Sequence, residues 1–197
     1  MALQIKISLR GVRPPIWRRV LVPSNFTLHD LHLIIQAAMG WSNYHLYEFS
    51  FRGQRFSLPD EDRKSISVDS VFEQGGEIAD SRRTRLRDLG IKNTKTMLLY
   101  LYDFGDNWEH DVVVEKTIKD ESGKDYPQCI AGGRAPPLED CGSIPGYYEL
   151  VEAFAHPEDK KHKELRKWAG GKYDPEYFDL DGTNRDVKDY KDMEGKD

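Results

Sequence analysis

The chain has 197 residues, of which 38% are apolar, 32% are charged and 11% are aromatic. This length suits a single hydrophobic core, and the aromatic content excludes the composition of a disordered chain. The formal net charge of −5 at pH 7 disfavours nonspecific nucleic-acid binding driven by the field of the whole protein.

No apolar run approaches the roughly 20 residues that a bilayer-spanning helix needs. The N-terminus lacks the basic and apolar regions of a secretory signal. The sequence therefore predicts a cytoplasmic protein without a membrane span.

Alternating polar and apolar residues predict a first hairpin of strands 4–9 and 16–22, joined by a proline-stiffened connection. A helix over residues 28–39 follows, because Thr27 and Asp30 form a capping-box variant and Gly40 is a plausible stop. Its apolar stripe consists of Leu28, Leu31, Ile34, Ile35 and Ala38. His29 and His32 on this helix are interpreted as partly exposed polar positions.

Residues 45–51 and 55–58 form a second predicted hairpin, and 97–104 with 108–115 a third. Residues 59–81 are predicted to be a long surface connection with at most one helical turn at 68–72. A short helix over 85–89 ends at Gly90.

The last third of the chain begins with an irregular segment, 121–146, which is rich in Gly, Pro and acids. Helices are predicted at 147–155 and 160–169, followed by a turn that leads to Tyr177. We expect one α+β domain over residues 1–185 and a polar, frayed tail over 186–197. The element order favours a mixed or antiparallel sheet with the main helix on one face, resembling β-grasp domains by analogy.

The tip of the third hairpin concentrates groups that can hold a divalent ion, chiefly Asp103, Asp106 and His110. If Asp103 faces Trp108, then Asp103 and His110 share a face roughly 7–8 Å apart, and a metal or water fits between them. A three-residue loop instead puts these two residues on opposite faces and groups Tyr100, Tyr102 and Phe104 with Trp108 and Val112. Both registers stay open, as does a purely structural turn.

A second group of candidates lies between Cys129 and Cys141, in a segment that includes Glu139 and Asp140. The spacing of the two cysteines fits neither a disulfide framework nor a CxxC site, which predicts free thiols. We expect this segment to lie against the hairpin tip. The candidate pocket consists of Asp103, Asp106, Trp108, His110, Arg134, Glu139 and Asp140. The candidate metal ligands are Asp103, Asp106, His110, Cys129 and Cys141.

Two arginine clusters, at 10–19 and 82–87, are interpreted as solvated surface. The sequence contains no GxSxG, HExxH or Cys/His nucleophile pattern. Gly132-Gly133 lacks the strand, the fixed spacing and the Lys-Ser/Thr ending of a phosphate-binding loop.

Several stretches together resemble the family named after the third open reading frame of plasmid pRiA4b, whose members often lie near mobile elements. The matching stretches are 9–23, 27–32 with Gly40-Trp41, 45–49, 102–110, 129–147, 173–180 and 184–185. The chain departs from the family pattern by an extra Leu138 and by Ser143 in place of a common glycine. The resemblance implies one α+β domain and brings no established activity.

The leading functional hypothesis is a binding or accessory module that acts through a protein partner. The first alternative is a hydrolase-like, metal-dependent enzyme in which Asp103, Asp106, His110 and Glu139 or Asp140 hold an ion that activates water. The second alternative is a DNA accessory factor, which the mobile-element association suggests and the acidic charge opposes. Nothing in the sequence specifies an oligomeric state.

Overall fold

The computed structural model describes residues 1–59, 77–91, 96–119 and 125–194. Within these ranges eight strands form one sheet in the spatial order β5-β4-β3-β6-β7-β1-β2-β8. The strands are β1 (Ala2–Leu9), β2 (Trp17–Pro23), β3 (Tyr47–Phe51), β4 (Gln54–Ser57), β5 (Ile78–Asp80), β6 (Thr96–Tyr102), β7 (Trp108–Ile118) and β8 (Gln128–Gly133). The pairing is antiparallel except between β4 and β5.

The described helices are α1 (Leu28–Met39), α2 (Ser143–Ala155), α3 (Lys163–Trp168) and α4 (Leu180–Lys188). Short 3₁₀ turns cover Leu86–Leu89, Lys160–His162 and Tyr190–Met193. None of the helices in the described ranges combines the length and apolarity that crossing a membrane requires. The predicted α+β class is confirmed, whereas the likeness to β-grasp domains stays a prediction.

All three predicted hairpins are present: β1 pairs with β2, β3 with β4, and β6 with β7. Residues 59–81 are predicted to be a surface connection without a strand. The structure differs, because β5 lies in this segment and pairs with β4. Strand β5 has only three residues, which is too short for a readable alternation. The helical turn predicted at 68–72 lies outside the described residues.

Helix α1 begins and ends as the sequence predicts. Thr27 Oγ1 accepts a hydrogen bond from the Asp30 amide at 3.0 Å, and the Asp30 carboxylate accepts one from the Thr27 amide at 2.7 Å. Gly40 ends the helix with a left-handed φ of 67°, a conformation that costs glycine little. The predicted stripe is fully buried.

The polar residues of α1 are more buried than predicted, because His32 and Gln36 bond to the sheet. Gln36 Nε2 donates to the Tyr100 hydroxyl at 2.9 Å, and that oxygen lies 2.8 Å from His32 Nδ1. His32 Nε2 lies 2.7 Å from Asn43 Oδ1. A neutral imidazole protonated at Nε2 satisfies all three bonds, in agreement with burial, which holds the pKa of His32 well below its usual range.

The expected frayed tail is not found over residues 186–194. Val187, Tyr190 and Met193 are buried in the core, and the Tyr190 hydroxyl donates to Asp30 Oδ1 at 3.0 Å. These three residues recur at a helical spacing, but the charged residues between them conceal the apolar stripe. Residues 195–197 lie outside the described ranges.

We expect Leu31→Ala to lower the free energy of unfolding by about 2–5 kcal/mol, because the side chain is fully buried and its removal leaves a cavity. Denaturant titration measures the change. Met97→Ala is the control, since Met97 is 49% exposed on β6 and its loss changes stability by only about 0.5 kcal/mol or less. Equal effects of the two substitutions would contradict the assigned core.

Candidate functional site

The β6–β7 register decides between the two arrangements of the third hairpin. Tyr102 pairs with Trp108 and Tyr100 with His110, across a loop that spans residues 103–107. Asp103 therefore does not face Trp108, and His110 lies on the sheet face occupied by Tyr100 and Tyr102. The loop is longer than the three residues considered, but it produces the same apolar grouping of Tyr100, Tyr102, Trp108 and Val112, all buried. Phe104 instead belongs to the loop.

His110 belongs to the core. Its ring packs edge-on against Trp41 with the centroids 5.4 Å apart, and its Nδ1 lies 3.0 Å from the Trp108 carbonyl oxygen. Burial lowers the pKa of His110 to about 4. The imidazole is thus neutral near pH 7, and its surroundings are aromatic rings and backbone.

The loop 134–142 lies against both the hairpin tip and the end of α1. Glu139 accepts hydrogen bonds from the Tyr102 hydroxyl and the Ser42 amide, each at 2.7 Å. The Gly142 amide donates to Asp106 Oδ2 at 3.1 Å. The structure thus brings together the two acid-rich segments that the sequence predicts to be neighbours.

Three potential ligands converge where these segments meet: His45, Asp103 and Asp140. His45 Nε2 lies 3.1 Å from Asp140 Oδ1 and 3.7 Å from Asp103 Oδ2. Asp103 is held by the Gly105 amide, which donates to its Oδ1 at 2.9 Å. Sequence reasoning did not select His45, because its approach to the two loops depends on the tertiary fold. Its place shortly after the end of α1 was the available signal.

The other predicted site residues lie elsewhere. Arg134 donates to the carbonyl oxygens of Pro14 and Pro175 and pairs with Glu176 at 2.7 Å. It therefore does not neutralise Glu139 or Asp140 through any of these bonds. Trp108 is buried beside Trp41, with the ring centroids 6.2 Å apart.

Both cysteines are free, as predicted. Cys129 lies on β8, where its amide donates to Asn184 Oδ1 at 2.9 Å, and burial raises the pKa of its thiol. Burial, followed by the carboxylates of Asp106 and Asp140, raises the pKa of the Cys141 thiol to about 12. Neither group is a thiolate near neutral pH, which weakens both as nucleophiles and as metal ligands.

A large apolar groove opens beside loop 134–142, with a volume of about 910 Å³. It is lined by Met39, Gly40, Trp41, Ala135, Pro136, Pro137, Leu138, Glu139, Phe154, Lys172, Tyr173, Asp174 and Tyr177. The Trp41 indole N–H donates to the Pro137 carbonyl oxygen and the Tyr173 hydroxyl to that of Pro136, both at 2.9 Å. Sequence reasoning missed the groove because its walls come from separate parts of the chain.

A second, smaller cavity of about 210 Å³ shares part of the groove wall and reaches Arg18. Arg18 donates to the carbonyl oxygens of Trp17, Ala38 and Gly133, and its guanidinium lies 4.5 Å from the centre of the Phe178 ring. Burial lowers the pKa of Arg18 to about 10. The residue remains charged near neutral pH, where it stabilises the C-terminal end of α1.

The described residues thus form an α+β protein with an eight-stranded, mostly antiparallel sheet, in which a proline-containing loop lies against the tip of the β6–β7 hairpin. The family model described as "Plasmid pRiA4b ORF-3-like protein" matches residues 1–182, and the chain belongs to this family.

Two relatives show how far the likeness extends. The protein y4hQ of Sinorhizobium fredii, described as uncharacterized, is 40% identical over 193 residues, which are 95% of this chain and 91% of y4hQ. The crystal structure of MM3350 from Methanosarcina mazei, a protein of unknown function, superimposes with a TM-score of 0.76 at 36% identity, covering 92% of this chain and 95% of MM3350. Neither description includes an activity.

The low pKa of His110 makes stability depend on pH. Its pKa is about 4 in the folded chain and 6.5 as the ordinary value, so the unfolded state binds the additional proton between these limits. We expect the contribution of neutral His110 to the free energy of unfolding to be complete above pH 6.5. As the pH falls from 6.5 to about 4, this contribution decreases by about 1.4 kcal/mol per pH unit. His110→Phe removes this part of the slope.

Urea titrations at several pH values measure that slope. His156→Gln is the control, because its imidazole is 55% exposed at the surface. The native chain and both variants keep His32, whose lowered pKa adds to the pH dependence of stability in the same direction. The difference between the slopes therefore isolates His110. An unchanged slope in His110→Phe would show that the buried imidazole does not carry the linkage.

Proposed function

We propose that the protein is a binding module that takes an extended, proline-containing segment of a protein partner into the apolar groove. The observation that carries this proposal is the groove itself, which combines a volume of about 910 Å³ with an aromatic and proline-rich lining. Aromatic-lined grooves are a recurring way to bind polyproline II segments. The groove is open to solvent, so an extended chain can lie in it.

The hydrogen-bonding groups of the lining favour an apolar ligand. The N–H of Trp41 and the hydroxyl of Tyr173 already donate to the proline-rich loop. A ligand therefore gains free energy mainly by burying apolar surface, at roughly 25 cal/mol per Å². A polyproline II segment presents its rings to such a wall while its backbone stays solvated, which avoids burying unpaired amides.

The rim of the groove supplies anchors for such a segment. Tyr177 is 61% exposed and can stack on a proline ring while its hydroxyl remains in water. Lys172, Asp174 and Glu139 add charges of both signs to the lining. The groove thus combines an apolar lining with a few charged side chains, a mixture also found in protein interfaces.

Two observations weigh against the alternative functions. The hydrolase hypothesis needs His110 beside the acidic tip, and His110 packs in the core with Trp41 and Tyr100. The DNA hypothesis needs unpaired arginines, whereas Arg10 pairs with Glu109 and Asp111, and Arg19 pairs with Glu115. Two of the four arginines in the N-terminal cluster are thus paired with carboxylates, which lowers the local positive charge.

Isothermal titration with a synthetic proline–leucine peptide of nine residues tests the proposal. We expect saturable binding to the native chain and an affinity at least about fivefold lower for Tyr177→Ala, since an interface aromatic contributes about 1 kcal/mol or more. Tyr44→Ala is the matched control, because Tyr44 is 66% exposed and does not line the groove. Its affinity should equal that of the native chain.

A serine–glycine peptide of the same length is the ligand control and should not bind. The proposal is wrong if the proline–leucine peptide does not bind the native chain, or if Tyr177→Ala binds it as tightly as Tyr44→Ala does.

A further inference from the structure

We propose that His45, Asp103 and Asp140 form a binding site for a divalent transition-metal ion such as zinc or manganese. The three residues come from the segment after α1, the β6–β7 loop and the loop 134–142, so they meet only in the folded chain. The site is separate from the groove and does not depend on the partner-binding proposal. It also differs from the predicted ligand set, in which Asp106, His110 and the two cysteines accompany Asp103.

The distances suit a shared ion. One potential ligand atom from each residue lies within 4.8 Å of the other two. Ligand atoms that bind one zinc ion at about 2.0–2.2 Å lie roughly 3.0–3.6 Å apart. The separations of 3.1 Å between His45 Nε2 and Asp140 Oδ1 and of 3.7 Å between His45 Nε2 and Asp103 Oδ2 are close to this range.

The buried polar atoms of the cluster provide independent support. His45 Nε2 is buried and makes no hydrogen bond, although it lies 3.1 Å from Asp140 Oδ1 and 3.7 Å from Asp103 Oδ2. Asp103 has a side chain only 10% exposed. Its Oδ1 accepts the Gly105 amide, which leaves Oδ2 directed toward His45. A cation between these atoms would satisfy a buried nitrogen and a buried carboxylate together.

The charge around the cluster also favours a cation. Asp106 lies close by, on the same hairpin loop, and bonds to Gly142, two residues after Asp140. Arg134, the nearest arginine in the loop sequence, is engaged by Pro14, Pro175 and Glu176 instead. The carboxylates of Asp103 and Asp140 therefore repel each other across His45, and a divalent ion removes that repulsion.

The ligand atoms indicate which class of ion binds, and the exposure of Asp140 indicates that the site is open to solvent. One imidazole with two carboxylates suits zinc, which binds nitrogen and oxygen ligands, better than calcium or magnesium, which prefer oxygen ligands alone. Manganese shares the preference for carboxylates. Asp140 has a side chain 69% exposed, so the ion can enter from solvent and keep water in its remaining positions. Three protein ligands with an open position are also the arrangement found in catalytic zinc sites.

Titration with zinc or manganese alone, after dialysis against chelator, tests the site by calorimetry and by the NMR signals of the histidine imidazoles. We expect one ion per chain, with the His45 resonance shifted at saturation. Asp140→Asn and His45→Gln should each weaken binding by roughly tenfold or more. The control His156→Gln removes a half-exposed imidazole flanked by Glu152 and Glu158 and should leave affinity unchanged.

Because the Asp140 side chain is exposed, we expect Asp140→Asn to keep the fold, and circular dichroism of this variant checks this directly. The proposal is overturned if neither ion binds saturably, or if Asp140→Asn and His45→Gln bind as tightly as His156→Gln. A protonated His45 that merely pairs with the carboxylates predicts the first of these results.

Discussion

The carboxylate of Glu139 joins the parts of the molecule from which both proposed sites are built. It accepts hydrogen bonds from the Ser42 amide, just beyond α1, and from the Tyr102 hydroxyl at the end of β6. Burial and this carboxylate both raise the pKa of Tyr102, so the phenol remains a donor. Hydrogen bonds to a charged group contribute about 1.5–3 kcal/mol each. One side chain thus fixes a loop against a helix end and a strand end.

The two proposed sites lie on either side of this junction. Glu139 itself lines the apolar groove, and the next residue, Asp140, reaches His45 at the hairpin tip. Further hydrogen bonds hold the same loop, among them those of Trp41 to Pro137, Tyr173 to Pro136 and Gly142 to Asp106. Gly146 allows a close approach at the loop's end, because a Cβ there would overlap the Cys141 carbonyl oxygen. The loop is therefore positioned by specific bonds despite its irregular backbone.

The sequence predicts the parts of this fold whose signals are local. Helix α1 follows from its apolar stripe and from the cap chemistry of Thr27, Asp30 and Gly40. The hairpins follow from alternation and turn residues. Strand β5 escapes prediction because three residues carry no readable period. The residues after 185 escape it because charges hide the spacing of Val187, Tyr190 and Met193.

The site is predictable only in part, since it depends on register and on distant contacts. A shift of one residue in the β6–β7 pairing would move His110 to the other face, and local sequence does not fix that choice. The proximity of Asp106 to the loop 134–142 is predictable, because the sequence places acidic residues in both turns and we expect the two turns to lie against each other. The role of His45 was not, because three separate segments must fold before its Nε2 meets Asp103 and Asp140.

Amide hydrogen exchange, read residue by residue in Glu139→Ala, tests the junction most directly. If Glu139 holds the loop, the Ser42 and Gly142 amides should exchange roughly tenfold to a hundredfold faster, in line with the loss of about 1.5–3 kcal/mol of local stability. Amides in the interior of α1, such as that of Ile34, should not change, and neither should any amide in the control Glu158→Ala, whose side chain is 76% exposed. Unchanged protection at Ser42 and Gly142 would contradict the account.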